Sequence, residues 1–154
     1  PMQFERLKKQ INIETKTAVR QLDSILSVPE AKYIDEITIG CSDLSESMKK
    51  PRWDASFIAQ VVKVVKKIKQ KNIPVSVGGG ITPETIDECL EQVQPDNFNT
   101  RIITFKAEPG RDYREAVQSA LRFEILMLEH DCSLKFISRD EEKFRIKELK
   151  KRLK

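Results

Sequence analysis

Hydrophobic and polar residues alternate near the start of the chain in a pattern that predicts a short β-strand over residues 11–14. Successive side chains of a strand lie on opposite faces, so Ile11 and Ile13 point one way and Asn12 and Glu14 the other. The same kind of pattern predicts three more strands along the chain. They are residues 36–40, 74–77 and 101–105.

Helices are predicted between these strands and after the last one. From Asp54, a good N-cap residue, to about Gln70, apolar residues recur with the spacing i, i+3, i+4, i+7. Thr82 and Pro83 have the cap and first-turn chemistry of a helix start. The other predicted helices are residues 16–27, residues 112–130 and a final helix that opens with the capping box Ser138 to Glu141. Strands that alternate with helices predict a parallel sheet.

The first three predicted strands share small or polar residues on one face and Ile or Val on the other. The small or polar positions are Asn12, Glu14, Thr38, Gly40, Ser76 and Gly78. This pattern is typical of an α/β barrel of the TIM type, whose β-branched residues face outward to helices. Such a barrel needs about 250 residues. The chain of 154 residues is therefore interpreted as the second half of a (β/α)8 barrel, residues 1–109, with a helical extension over residues 110–154.

Composition and charge restrict the cellular compartment and the classes of partner that we expect for the chain. The chain is 39% hydrophobic and 34% charged, and it contains neither an apolar run of the ~20 residues that a membrane span needs nor a signal peptide. Cys41, Cys89 and Cys132 lack metal-ligand spacing, which favours reduced thiols in the cytoplasm. The net charge of +4 includes a basic tail without an aromatic platform. We expect no nucleic-acid partner and no membrane partner.

Two carboxylates are the candidate chemistry of the chain. Glu14 lies at the end of the first strand and Asp43 just after the second, and in a parallel sheet these ends lie side by side. Two such groups repel each other unless a cation lies between them, and a divalent metal is the simplest one. Two structural explanations stay open, because a strand-end glutamate can pair with Lys or Arg and an aspartate can cap a helix.

Several segments resemble the HpcH/HpaI aldolase and citrate lyase β-subunit family. The resemblance extends from Pro1-Met2, which is similar to the end of that family's preceding strand, to about Phe105. It is strongest at Ile13-Glu14-Thr15, Ile34-Asp35-Glu36-Ile37-Thr38-Ile39-Gly40 and Ser42-Asp43-Leu44-Ser45. The resemblance implies that Glu14 and Asp43 hold Mg²⁺ or Mn²⁺, which chelates a pyruvate-like unit. It also implies that backbone N–H groups of Ser42 and Asp43, in the turn after Gly40, bind the substrate carboxylate. Asn12, on the same face as Glu14, is a candidate to orient it.

The function implied by the resemblance is reversible carbon–carbon cleavage of a 2-oxo acid or an acyl-CoA substrate through an enolate. The base and the enolate-binding arginine of that family lie on earlier strands, so no catalytic residue is identified here. The sequence departs from the family at Cys41, where many members have proline, and Gly78-Gly79-Gly80 and Asn99-Thr100-Arg101 resemble a less characterised subgroup of it. The only histidine, His130, is expected to face solvent. Unpaired sheet edges and an open apolar interior predict a homo-oligomer or a complementing amino-terminal half.

Two other functions remain open from the sequence. Gly78 to Gly80 is a candidate phosphate cradle, because barrels bind phosphate with backbone N–H groups after their last strands. Such a cradle would make the protein a phosphosugar-binding barrel enzyme, whereas a structural explanation of the glycines is a tight turn with positive φ. Arg101 could face a substrate carboxylate or phosphate, or it could begin a strand in solvent. Alternatively, the chain is a half-barrel scaffold or subunit without catalysis.

Overall fold

An α/β architecture with a mostly parallel sheet is confirmed by the structure, a computed structural model that describes residues 7–153. The predicted strand end at Pro1-Met2 lies outside these residues. The five strands lie in the order in which they occur in the chain, and the first four are parallel. They are β1 (Gln10–Ile13), β2 (Glu36–Gly40), β3 (Val75–Gly78), β4 (Asn97–Asn99) and β5 (Thr104–Lys106), which is antiparallel to β4.

Helices connect the strands and form a pair at the end of the chain. Asp54 and Ser138 cap their helices as predicted, since each side chain accepts a hydrogen bond from a backbone N–H three residues later. The helices are α1 (Lys16–Arg20), α2 (Leu22–Ile25), α3 (Cys41–Met48), α4 (Ala55–Lys69), α5 (Ile86–Val93), α6 (Arg114–Ser133) and α7 (Arg139–Arg152), with a 3₁₀ turn at Pro29–Tyr33. None of the helices between residues 7 and 153 combines the length and the apolar character that a bilayer crossing requires.

The core lies on one face of the sheet. Ile37, Ile39, Val75 and Val77 are fully buried there. The helices cover this face with the predicted apolar stripe of α4 and with residues from the other helices. Burial of one such side chain is worth about 1.5–3 kcal/mol, so this layer supplies most of the driving force for folding.

The opposite face of the sheet is polar. The strand register sets Asn12 beside Thr38, Thr38 beside Ser76, and Gly40 beside Gly78, so the small and polar positions do share one face. The prediction of an open apolar interior is wrong, because strict alternation places the apolar residues of these strands against the helices. On this face Asn12 is exposed and Glu14 is half-buried, whereas Thr38 and Ser76 in the middle of the sheet are buried.

The predicted fourth strand is corrected by the structure. Residues 97–99 pair with β3, and the segment predicted as the strand instead contains a reversal followed by β5. Asp96 fixes this register, because its carboxylate accepts a hydrogen bond from the N–H of Val75 at 2.9 Å. Phe105 then stacks on Phe98 with ring centroids 4.9 Å apart. A parallel fourth strand over residues 101–105 is therefore absent, and β5 lies where the next strand of a barrel would pair.

Two helix predictions and one turn prediction are also corrected. The helix predicted over residues 16–27 is interrupted at Gln21 and forms α1 and α2. Thr82 and Thr85 bond to each other through side chains and backbone, which makes a turn, so α5 begins only at Ile86. The third correction is α3, which begins directly after β2 where the sequence predicted a turn.

Candidate functional site

Glu14 lies across the end of the neighbouring strand. A Cβ atom on Gly40 would be 2.7 Å from Oε1 of Glu14, so a larger residue at position 40 would displace this side chain. Asn12 Nδ2 donates a hydrogen bond to the same oxygen at 3.1 Å. The shared face of Asn12 and Glu14, expected from strand alternation, therefore brings the two side chains into contact.

Asp43 lies in the first turn of α3, at the same end of the sheet. Gly40 is the N-cap of this helix, and a helix rises 1.5 Å per residue, so Asp43 is about 4.5 Å along the axis from Gly40. Its side chain is exposed. The expected position in a turn is thus replaced by a helical one, which keeps Asp43 near the end of β2.

Two structural explanations of these carboxylates lose support. Within residues 7–153, no lysine or arginine lies within 4 Å of either carboxylate, and Asp43 caps no helix there. No group of three or more His, Cys, Asp and Glu side chains in these residues is arranged to hold a metal. A cation here would have two carboxylate ligands, which fits Mg²⁺, because it commonly takes one or two carboxylates and completes its shell with water and substrate oxygens.

The N-terminus of α3 adjoins the Gly-rich turn. No side chain caps this end of α3, and the first N–H groups of any helix have no partner within it. A Cβ on Gly79 would lie 2.6 Å from the backbone nitrogen of Ser42 and 2.8 Å from its Oγ. Gly79 has a φ of +89°, which favours glycine. The turn after β3 therefore packs directly on the helix end that the sequence assigned to a substrate carboxylate.

Asn99, on β4, repeats the arrangement of Glu14 on the same face of the sheet. Its side chain lies across Gly78, where a Cβ would be 2.1 Å from Oδ1 of Asn99. Asn99 Nδ2 also donates to Ser76 Oγ at 3.4 Å. The sequence did not single out Asn99 as a site residue, because its strand was assigned to the wrong residues.

Arg52 and Trp53 also contact the site. Arg52 Nη1 donates to Ser42 Oγ at 3.0 Å, and Trp53 Nε1 donates to the carbonyl of Gly80 at 3.2 Å. Sequence reasoning missed both residues. They lie between two helices, outside any motif, and only the folded chain brings them to Ser42 and Gly80.

The helix pair at the end of the chain reaches the same end of the sheet. Arg152 Nη2 donates to the carbonyls of Ile81 and Thr100, at 2.9 and 3.2 Å. Arg101 Nη1 lies 3.5 Å from a carboxylate oxygen of Glu124, which is 2% exposed. The loops that follow β3 and β4 are thus tied to α6 and α7.

The charges in this cluster act on one another. Burial has the largest effect on the pKa of Arg152 and lowers it, whereas the carboxylate of Glu124 raises it. The positive charges of Arg52 and Arg101 lower this pKa further. Arg152 is therefore close enough to Arg52 and to Arg101 to be repelled by both, with Glu124 as a compensating charge.

The remaining candidate side chains do not join the site. Burial raises the pKa of the Cys41 thiol well above its usual range and that of Cys89 to about 12, so neither is a ready nucleophile or metal ligand. His130 is exposed near the end of α6, as expected. A cavity of about 770 Å³ lies by the amino-terminal ends of β3 and β4, near Asp96, and its lining includes none of the predicted site residues.

Comparison with known proteins gives no matching family model and no match among curated proteins. The structure defines the class as an α/β protein with a five-stranded, mostly parallel sheet and a polar open face. The resemblance to the aldolase and citrate lyase family therefore depends on the motif residues alone.

Proposed function

We propose that this chain is the carboxyl-terminal half of a metal-dependent carbon–carbon lyase of the (β/α)8 barrel type, similar to the HpcH/HpaI aldolase and citrate lyase β-subunit family. The observation that carries the proposal is the contact of Glu14 with Gly40, at the N-terminus of the helix whose first turn contains Asp43. The proposal is supported by two further features of residues 7–153: neither carboxylate has a cationic partner among them, and no side chain caps the N-terminus of α3.

The proposed roles follow from these contacts. Glu14 and Asp43 hold a Mg²⁺ or Mn²⁺ ion, and Asn12 orients the Glu14 carboxylate through its hydrogen bond. A bound divalent ion stabilises the negative charge that develops on a substrate oxygen as the carbon–carbon bond breaks. Backbone N–H groups at Ser42 bind the substrate carboxylate, because a helix N-terminus favours an anion. The proposed substrates are 2-oxo acids or acyl-CoA acids.

The proposed reaction needs groups that this half does not supply. In the family that the chain resembles, the base and the enolate-binding arginine lie on earlier strands of the barrel. We propose that they come from a complementing amino-terminal half or from another copy of the chain. Since β5 occupies the outer side of β4, the strands of a complementing half would pair with β1, and the barrel would stay open at β4.

Titration calorimetry with Mg²⁺ and Mn²⁺, with and without pyruvate or oxaloacetate, tests the proposal. We expect metal binding that strengthens in the presence of the 2-oxo acid. Removal of a residue that only supports a ligand costs 10–100-fold in metal affinity. The variants Glu14→Gln and Asp43→Asn should therefore weaken metal binding by about 100-fold or more, with an unchanged circular dichroism spectrum.

Glu46→Gln is the matched control, because Glu46 is an exposed carboxylate on the same helix as Asp43. It should leave metal affinity within about twofold of the wild type, since an isolated exposed charge contributes little. Equal losses of metal affinity in all three variants would show that the metal is attracted only by the general negative charge of the surface. Absence of metal binding in the wild type would reject the lyase proposal and favour the scaffold or the phosphate-binding alternative.

A further inference from the structure

Three arginines from separate parts of the chain meet at the carboxyl ends of the strands. Arg52 comes from the segment between α3 and α4, and its Nη1 lies 2.8 Å from the position that a Cβ of Gly80 would take. Arg152, near the end of α7, donates to the carbonyl of Ile81, the residue after Gly80. It also donates to the carbonyl of Thr100, next to Arg101.

The positive charge of this arginine cluster (Arg52, Arg101 and Arg152) is only partly balanced. Arg101 contacts the buried carboxylate of Glu124, whereas Arg52 donates to a hydroxyl and Arg152 to backbone carbonyls. Glu148 also lies within electrostatic reach of Arg52, but it forms an ion pair with Lys151 at 2.6 Å. Two carboxylates therefore compensate three guanidinium groups, and one of the two is shared with Lys151.

Several polar groups beside the cluster lack partners. The N–H groups of Gly79 and Gly80 form no hydrogen bond with another residue between 7 and 153. The hydroxyl of Thr100, a residue that is 2% exposed, has no partner among the same residues. Arg52 is exposed and uses one donor of its guanidinium group, for Ser42. Buried or clustered polar groups without partners in a folded protein commonly mark a place for a bound water, ion or ligand.

We propose that the arginine cluster and the N–H groups of Gly79 and Gly80 form a second anion-binding subsite. The inference rests on the proposed function, because it takes the N–H groups at Ser42 to hold the carboxylate of the 2-oxo acid. The subsite then binds a second anionic group, a phosphate or a carboxylate, at the other end of the same substrate. A guanidinium group matches both through paired N–H donors. Arg52 contacts Ser42 on one side and approaches Gly80 on the other, so it lies between the two anionic groups.

Calorimetric titration of the full chain with inorganic phosphate, and separately with succinate, at low ionic strength tests the subsite. We expect saturable binding of at least one of these anions. The anion that binds more tightly identifies the second anionic group of the substrate as a phosphate or a carboxylate. Arg52→Gln should weaken that binding about tenfold or more, because a charge-assisted paired contact is lost. Arg52 is exposed and makes one hydrogen bond, so this variant is expected to fold.

Lys63→Gln is the matched control, because Lys63 is an exposed cation on α4 and its loss changes the net charge equally. It should change anion affinity less than twofold. Equal losses in Arg52→Gln and Lys63→Gln, or no saturable binding of either anion, would overturn the subsite. Displacement of phosphate by pyruvate with Mg²⁺ would also overturn it, because Arg52 would then serve the 2-oxo acid's own carboxylate.

The two proposals fail separately in these titrations. Glu14→Gln should not weaken phosphate binding, since a carboxylate donates no hydrogen bond to an anion and its loss removes a negative charge. Arg52-dependent phosphate binding without any metal binding would reject the lyase and keep an anion site. Metal and pyruvate binding without Arg52-dependent anion binding would keep the lyase and reject the second subsite.

Discussion

At the scale of single residues, two glycines separate the effect of backbone strain from that of a close contact. Gly79 and Gly110 both have positive φ, +89° and +76°. A Cβ on Gly79 would lie 2.6 Å from the backbone nitrogen of Ser42, whereas among residues 7–153, apart from its two chain neighbours, no residue has an atom within 4 Å of a Cβ on Gly110. An alanine at either position is strained, and only the one at position 79 also collides with backbone.

We therefore predict that Gly79→Ala lowers the free energy of unfolding more than Gly110→Ala. Strain from positive φ costs about 1–3 kcal/mol in each variant. The collision with Ser42 should add roughly 1–3 kcal/mol to Gly79→Ala, because the neighbouring atoms belong to the backbone and cannot rotate away. Urea unfolding followed by circular dichroism measures both values. Equal losses would show that the turn moves freely on α3.

The sequence predicted part of the residue-scale arrangement. Strand alternation and the family resemblance together singled out Glu14, Gly40 and Asp43, and the structure sets the first two in contact. Alternation could not reveal Arg52 or Asn99. Their contacts join segments that are distant along the chain and depend on how loops pack after the sheet has formed.

At the scale of elements, α4 has a charged cap whose contribution depends on pH. Asp54 Oδ1 accepts a hydrogen bond from the N–H of Phe57 at 2.6 Å. This bond, followed by one from Ser56, lowers the pKa of Asp54 below its usual value. Since the pKa in the folded state is the lower one, the stabilisation is present above the unfolded pKa of about 4 and is lost as the pH falls through the folded pKa.

The variant Asp54→Ala should accordingly have a lower Tm than the wild type at pH 7, and this difference should shrink as the pH falls to about 3. Ser138→Ala provides the comparison, because Ser138 caps α7 with a neutral hydroxyl at 3.1 Å from the N–H of Glu141. Its effect on the Tm should not vary with pH through the cap itself. Differential scanning calorimetry across this pH range measures both. A constant Tm difference for Asp54→Ala would contradict the assigned cause.

Long elements with caps were predicted best. The helices α4 and α7 begin after Asp54 and Ser138, the residues whose side chains predicted those starts. The short elements β4 and α3 were not predicted. A strand of three residues such as β4 gives too little alternation to recognise, and α3 begins immediately after β2 without a side-chain cap.

At the scale of the whole molecule, the core lies on one side of the sheet and buries two of the three thiols. Cys41 and Cys89 are fully buried, and burial raises the pKa of both. Cys132 lies near the end of α6 and is only half-buried. Its pKa is also raised, chiefly by a hydrogen bond with Glu142, but solvent reaches it.

We predict that a thiol reagent such as Ellman's reagent labels one cysteine of the native protein quickly and two slowly. The thiolate is the reacting species, so buried thiols with raised pKa react only after the core opens. The slow labelling of Cys41 and Cys89 should accelerate together in urea. Cys132→Ser should remove the fast phase alone. Labelling of Cys41 at the rate of Cys132 would contradict a closed core on this side of the sheet.

The fold class of the molecule was predictable from its sequence, but the direction of its last strand, β5, was not. Strands that alternate with helices correctly predicted an α/β fold with a parallel sheet. The direction of β5 depends on the reversal around Arg101, which has a φ of +129°, and on the packing of Phe105 against Phe98 and Tyr113. These are contacts between distant residues that no periodic pattern describes.

The antiparallel β5 makes the two edges of the sheet unequal. It is three residues long, it carries an exposed lysine, and the hydroxyl of Tyr113 donates to the carbonyl of Lys106. Short length and an edge lysine both discourage a further strand from pairing there. Fibrils that grow by strand addition need two receptive edges on every molecule. Since β5 blocks one edge, any strand pairing between copies at β1 would end in a two-fold pair instead of extending into a filament.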